Sequence, residues 1–159
     1  MNLRKVFEVY ATATALVLGL SAGAMLAEAV VLVNVWRAIS PDEFLAWYHR
    51  HHHELVQFYS PLQIAATVTA IIAAIWFRLA YGRVSRSWLA AAGAAVGVLV
   101  LFFVYFKSAN AAFLSADVDP AQIPAMLTTW GAWQWFRTAV GITAAACAIV
   151  AARPPRLES

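Results

Sequence analysis

Four long runs almost free of charge, at about 6–33, 61–81, 88–113 and 125–152, constrain this chain more than any other feature. Each approaches or exceeds the roughly 20 residues with which an α-helix crosses a hydrocarbon core of about 30 Å. Backbone groups in lipid must be satisfied within the protein, so the runs are expected to be helices. The expected fold is all-α: one membrane domain over 1–159, built as a four-transmembrane-helix bundle. Composition points the same way. With 63% hydrophobic residues, 12% charged and a mean hydropathy of +0.70, the chain lies outside the range of soluble domains.

The placement of charge gives an orientation. Arg4 and Lys5 precede the first run, Arg78, Arg83 and Arg86 surround the short second connection, and Arg153 and Arg156 follow the last run. Cytoplasmic segments carry the excess of Lys and Arg, so both termini are expected in the cytoplasm, in a multi-pass protein of the cell (inner) membrane. The two long connections hold Asp42, Glu43, Glu54, Asp117 and Asp119 and are expected on the opposite, outer face. The formal net charge of +3 is accounted for by this asymmetry, and no nucleic-acid partner is expected. The expected partners are membrane lipid, a lipophilic small-molecule substrate, and a second copy or a larger membrane complex.

The first run could be mistaken for a secretory signal, but its apolar stretch is too long for one and is expected to remain as a span. Ala15, Gly19, Gly23 and Ala27 recur in it at every fourth position, and Gly93 and Gly97 repeat the device in the third run. Such stripes let helices approach closely; packing within the chain is expected, with a homodimer as the alternative. Cys147, the only cysteine, reads as a packing residue. In the first outer connection Ser40-Pro41-Asp42-Glu43 has an N-cap, a proline at the first helical position and a glutamate three residues after the cap. An extra interfacial helix is expected over about 41–59, its aromatic residues at headgroup level, before Tyr59-Ser60-Pro61 opens or kinks the second span.

Polar groups at membrane depth are costly and usually face the bundle interior or a wet cavity. Counted at 1.5 Å per residue from the arginine-rich side, Glu28, Asn110 and Arg137 each lie roughly 25 to 33 Å along their helices, in one layer. Lys107 is one turn below Asn110. Arg137 needs an anion, and Glu28 is the natural one. The sequence His49-Arg50-His51-His52-His53-Glu54 lies just above. Helical spacing lets His49, His52 and His53 share a face, which could hold iron, copper or manganese with Glu28 as a carboxylate ligand. The same face could instead supply a general base, or be solvated at the headgroups. Trp130, Trp133 and Arg137 share a face of the last run, with Gln134 beside them. Membrane-belt roles are the plain reading of Trp130 and Trp135.

Lys107-Ser108-Ala109-Asn110, then Asp119-Pro120, Pro124, and Trp130-Gly131-Ala132-Trp133-Gln134-Trp135-Phe136-Arg137-Thr138 together resemble the anthrone oxygenase-like family of small four-span membrane proteins. Ala109 stands where that family often has a proline, and Trp135 or Phe136 where it often has a histidine. The resemblance implies oxidation by dioxygen of a lipophilic phenolic, anthrone-like or quinol compound at the outer leaflet. It implies His52 or His53 as base or metal ligand, Lys107 and Arg137 as stabilisers of an oxyanion, Asn110 as an orienting group, and Trp130 or Trp133 as a stacking surface for the bound compound. Two other functions suit the chain: a non-catalytic subunit that anchors or stabilises a larger complex and binds haem or quinone, and a small transporter built around Glu28.

Overall fold

A computed structural model describes residues 3–153, so Arg156 lies outside the described residues. Helix α1 (Leu3–Ala27) runs through a π-helical segment, Glu28–Leu32, into α2 (Val33–Ala38). After two extended residues, Ile39 and Ser40, the chain reverses into α3 (Pro41–Tyr81). Helix α4 (Arg86–Leu101) continues through a second π segment, Phe102–Phe106, into α5 (Lys107–Phe113). A 3-10 turn, Pro120–Gln122, then leads into α6 (Ile123–Ala151). The described residues form no strand. The result is four long helical rods, Arg4–Ala38, Pro41–Tyr81, Arg86–Phe113 and Pro120–Ala151, each long and apolar enough to cross a membrane, consistent with a multi-pass membrane protein.

The turns stop the helices by ordinary local chemistry. Ser40 Oγ accepts from the Glu43 N–H at 3.3 Å, and the Glu43 carboxylate accepts from the Ser40 N–H at 2.9 Å, closing the expected capping box. Gly82, at φ 68°, ends α3 in the left-handed conformation that glycine adopts without steric cost. Ser85 Oγ accepts from the Trp88 N–H and caps α4.

Each rod packs on two neighbours in the cyclic order α1, α3, α4, α6. Two apolar clusters fill the interior. One, toward the arginine-bearing end, is built from small side chains such as Ala11, Ala70, Ala95 and Ala148 around Phe7, Phe77 and Trp88. The other, toward the histidine-bearing end, is aromatic: Trp36, Phe44, Tyr48, Phe106, Phe113 and Trp130. Between them lies a buried polar layer that includes Glu28, Gln63, Gln134, Arg137 and Thr138. Outside, large apolar side chains such as Val9, Leu16, Leu79 and Phe103 are exposed, far beyond what a soluble surface carries.

Two expectations are corrected. No separate interfacial helix precedes the second span: α3 is one helix of 41 residues, about 60 Å long, and it passes through Pro61 without a break. Proline removes one backbone donor there, while Phe44 and Tyr48, both buried, hold the first half of α3 against Trp36 and Phe113. Of the small-residue stripe of α1 only Ala15 packs within the chain, partly buried against the alanine-rich cluster. Gly19, Gly23 and Ala27 are exposed, and a Cβ on Gly19 or Gly23 would meet nothing within 4 Å. The buried face of the first rod is Phe7, Ala11, Thr14, Leu18, Ala22 and Met25, rotated away from the stripe. Gly93 is open in the same way, whereas Gly97 rests 3.6 Å from Val140 of α6.

Candidate functional site

The polar layer is organised by an ion pair. Arg137 Nη2 donates to Glu28 Oε2 at 3.0 Å, and Gln134 Nε2 donates to the same oxygen at 2.8 Å. Gln134 and Thr138 lie one turn apart on α6 and both donate to the Met25 carbonyl, at 3.0 and 3.2 Å. That arrangement ties α6 to the first rod at the point where the π segment begins. On its other side, the Arg137 guanidinium lies over the Phe106 ring, 4.0 Å from its centroid.

Glu28 is the first residue of one π segment and Phe106 the last of the other. Single π turns interrupt α-helices mostly where a side chain must be re-aimed, and often at functional sites. Here the two interruptions flank one arginine. A cavity of about 50 Å³ opens beside it, lined by Glu28, Trp36, Tyr48, His52, Leu55, Val56, Tyr59, Ser60, Gln63, Phe102, Asn110, Trp130 and Arg137. That is room for roughly three or four water molecules, or for the oxygen-bearing edge of a ring.

Of the residues expected from sequence, Glu28, His52, Asn110, Trp130 and Arg137 line this cavity. Trp130 is buried rather than a belt residue, and its Nε1 donates to Asn110 Oδ1 at 2.9 Å. His52 stacks near Tyr48, ring centroids 6.4 Å apart, and its Nδ1 lies 3.3 Å from the His49 carbonyl.

The other expected residues lie elsewhere. His53 is exposed, its Nε2 2.8 Å from the Gln57 amide nitrogen, and His49 is exposed as well. The three-histidine face therefore does not close on Glu28, and among the described residues no three His, Cys, Asp or Glu side chains are grouped to hold a metal ion. Lys107 is exposed. Residues three apart stand about 60° apart around a helix, and on α5 only Asn110 is turned to the cavity. Trp133 stacks on Tyr105 at 4.9 Å and 14°, away from the cavity.

The sequence reading missed Trp36, Tyr48, Tyr59 and Gln63. A signal for three of them was present: Tyr48, His52, Tyr59 and Gln63 are spaced by 4, 7 and 4 residues, one face of a continuous helix. Placing a helix boundary at Pro61 hid that face. Tyr59 also crosses to the first rod, its hydroxyl donating to the Ala24 carbonyl at 3.4 Å.

Chemically, the site joins an imidazole, a neutralised guanidinium, two amides, two phenols and two indoles in a small cavity walled on one flank by Leu55, Val56 and Phe102. It can hold an oxygen atom of a ligand and exchange a proton with it. Comparison of the chain with protein-family models, with curated proteins and with solved structures gave no match.

Proposed function

We propose that this protein is a membrane-embedded oxidoreductase of the oxygenase type, acting on a lipophilic phenolic, anthrone-like or quinol compound. The observation that supports it best is the convergence of His52 with Arg137 and Asn110 on one cavity inside an apolar bundle. Such chemistry needs a base to take the proton of a ring hydroxyl and fixed donors to hold the resulting oxyanion. His52 is the base in this reading. The Arg137 guanidinium and the Asn110 amide hold the oxygen, and Trp130 fixes Asn110 by its hydrogen bond. For an anthrone, one atom of dioxygen becomes the new ring carbonyl and the other leaves as water with the two hydrogens of the ring methylene; for a quinol, loss of two protons and two electrons gives the quinone, while dioxygen takes both and becomes hydrogen peroxide.

The orientation follows the charge pattern. The arginine-bearing end, with both termini, faces the cytoplasm, and the cavity lies toward the outer face of the inner membrane. A substrate dissolved in the outer leaflet then meets the site without crossing the bilayer.

The test is oxygen uptake by the full chain in liposomes supplied with an alkyl hydroquinone or with anthrone. Uptake in proportion to protein, lost in His52→Ala, supports the proposal. Uptake no greater than in empty liposomes overturns it.

A second reading has its own observation. The exposed stripe of Gly19 and Gly23 leaves a wide apolar groove beside Leu16, Leu20 and Phe58, which suits a subunit of a larger membrane assembly. Co-purification with a partner and no oxygen uptake by the isolated chain would favour it.

A further inference from the structure

The hydrogen-bonding balance of the cavity is one-sided. Among the described residues, three of the buried side-chain atoms that lack a partner belong to residues lining it: Trp36 Nε1, Gln63 Nε2 and Arg137 Nε. These residues are only 1%, 5% and 5% exposed. Every one of the three atoms is an N–H donor, and a buried donor left unpaired carries its full desolvation penalty. Of the acceptors nearby, Glu28 Oε2 takes Gln134 and Arg137, and Asn110 Oδ1 takes Trp130. Gln134 Oε1 is buried without a partner too, but Gln134 does not line the cavity. What the three donors lack is an acceptor.

The shape of the site limits what can bring one. Val56 is 50% exposed, and Ser60 and Phe102 are partly exposed, so the less enclosed part of the wall belongs to α3 and the third rod. Helix α3 packs closely along α4 but only sparsely on α5, and the two rods part at this level. An apolar body can remain there, against Leu55, Val56 and Phe102, while one oxygen reaches the polar layer.

We propose that this cavity recognises a ring carbonyl, the acceptor oxygen of a p-quinone-type head group, with the N–H groups of Trp36, Gln63 and Arg137 as its donors. The inference rests on the function proposed above for the location of the site, and names the form of ligand that the site holds. A quinone edge carries only acceptor lone pairs. A quinol hydroxyl is a weaker acceptor for these N–H groups and also brings a donor of its own, for which the wall offers chiefly the His52 imidazole. The oxidised form is therefore bound more tightly than the reduced form, and turnover of a quinol is inhibited by its own product.

The experiment is calorimetric titration of the full chain in lipid nanodiscs with decyl-p-benzoquinone, with its quinol under argon, and with decylbenzene as a partitioning control. The expected result is saturable binding of the quinone, at least ~10-fold tighter than the quinol. Trp36→Phe and Gln63→Leu should each weaken it about 3- to 10-fold, the worth of one neutral hydrogen bond, and leave decylbenzene uptake unchanged. Trp36→Phe also trims packing, so Gln63→Leu is the cleaner variant. Non-saturable quinone uptake, quinol binding as tight as quinone, or indifference to both substitutions overturns the inference. Oxygen uptake with a phenol but no saturable quinone binding removes this inference and leaves the proposed function. Donor-dependent quinone binding with no oxygen uptake does the reverse.

Discussion

Glu28 and Arg137, 109 residues apart in the chain, meet as an ion pair at 3.0 Å with both side chains about 6% exposed. Removing one member of such a pair leaves a buried charge without compensation, at roughly 3–5 kcal/mol, whereas apolar replacement of both is often nearly neutral. Glu28→Gln should therefore lower the thermal midpoint of the detergent-solubilised protein sharply, and Glu28→Met with Arg137→Met should restore most of it. The double variant should still fail to bind a ring carbonyl, because a donor has gone with the charge. Simple addition of the two single losses would show that the pair is not a coupled unit.

Gly131 marks a second close approach, between α6 and the end of α2. Arg37 Nη2 donates to the Leu127 and Thr128 carbonyls at 3.1 and 3.3 Å, and a Cβ on Gly131 would stand 2.5 Å from that nitrogen. The nearest obstacle is the tip of a flexible side chain, and Val33 Cγ1, 3.1 Å away, need give by only a few tenths of an ångström, so Gly131→Ala should fold and displace the guanidinium. The expected loss is about 1–3 kcal/mol, the worth of a charge-assisted hydrogen bond, and Arg37→Ala should cost about the same. In a thermal-unfolding cycle the double variant should lose no more than either single one. Additive losses would mean that the glycine serves some purpose other than seating Arg37.

How much of this was legible in the sequence depends on what each residue signals by itself. The four rods were, because lipid-length apolar runs leave the backbone little choice. The Glu28–Arg137 pair was, because each ion is nearly alone in its span and each needs the other. The capping box at Ser40 forms as its sequence suggests, yet the helix it starts, expected over about 41–59 with an opening or kink at Pro61, runs on to Tyr81. The local penalty of a proline is visible in sequence, while the packing of Phe44 and Tyr48 that outweighs it is not. The two π segments carry no local signature, and the offset of about 60° around α5 that leaves Lys107 outside while Asn110 lines the cavity is fixed by packing rather than by any residue's own signal. The glycine stripe on α1 was visible, but which face of α1 turns inward is set by Phe7, Thr14 and Met25 together with their partners on three other rods.

The start of α3 gives a prediction about its continuity. Ser40 and Glu43 satisfy each other's backbone groups, and the helix they open carries His52 to the cavity wall twelve residues after Ser40. Ser40→Ala should cost about 1 kcal/mol, typical of a lost N-cap. The loss should be local. Hydrogen exchange of the first two turns of α3 should quicken, with the amides around Ala66 and Ala70 unchanged. Faster exchange along the whole helix would mean that its first half is not anchored by the aromatic cluster.

The histidine run gives the sharpest test of which residues matter, since the four side chains are sequence neighbours in different surroundings. His52 lines the cavity beside Tyr48, whereas His49 and His53 are exposed and His51 lies 3.7 Å from Glu54 and against Trp47. A positioned general base contributes about 10²- to 10⁴-fold to rate. His52→Ala should therefore lower the initial rate of oxygen uptake by about 10²-fold or more, while His49→Ala, His53→Ala and Lys107→Ala should leave it close to that of the parent chain. His52→Gln should not rescue it, because an amide can donate and accept hydrogen bonds but cannot take up the proton. A His53→Ala variant as impaired as His52→Ala would move the chemistry out of the cavity and onto the outward face of α3.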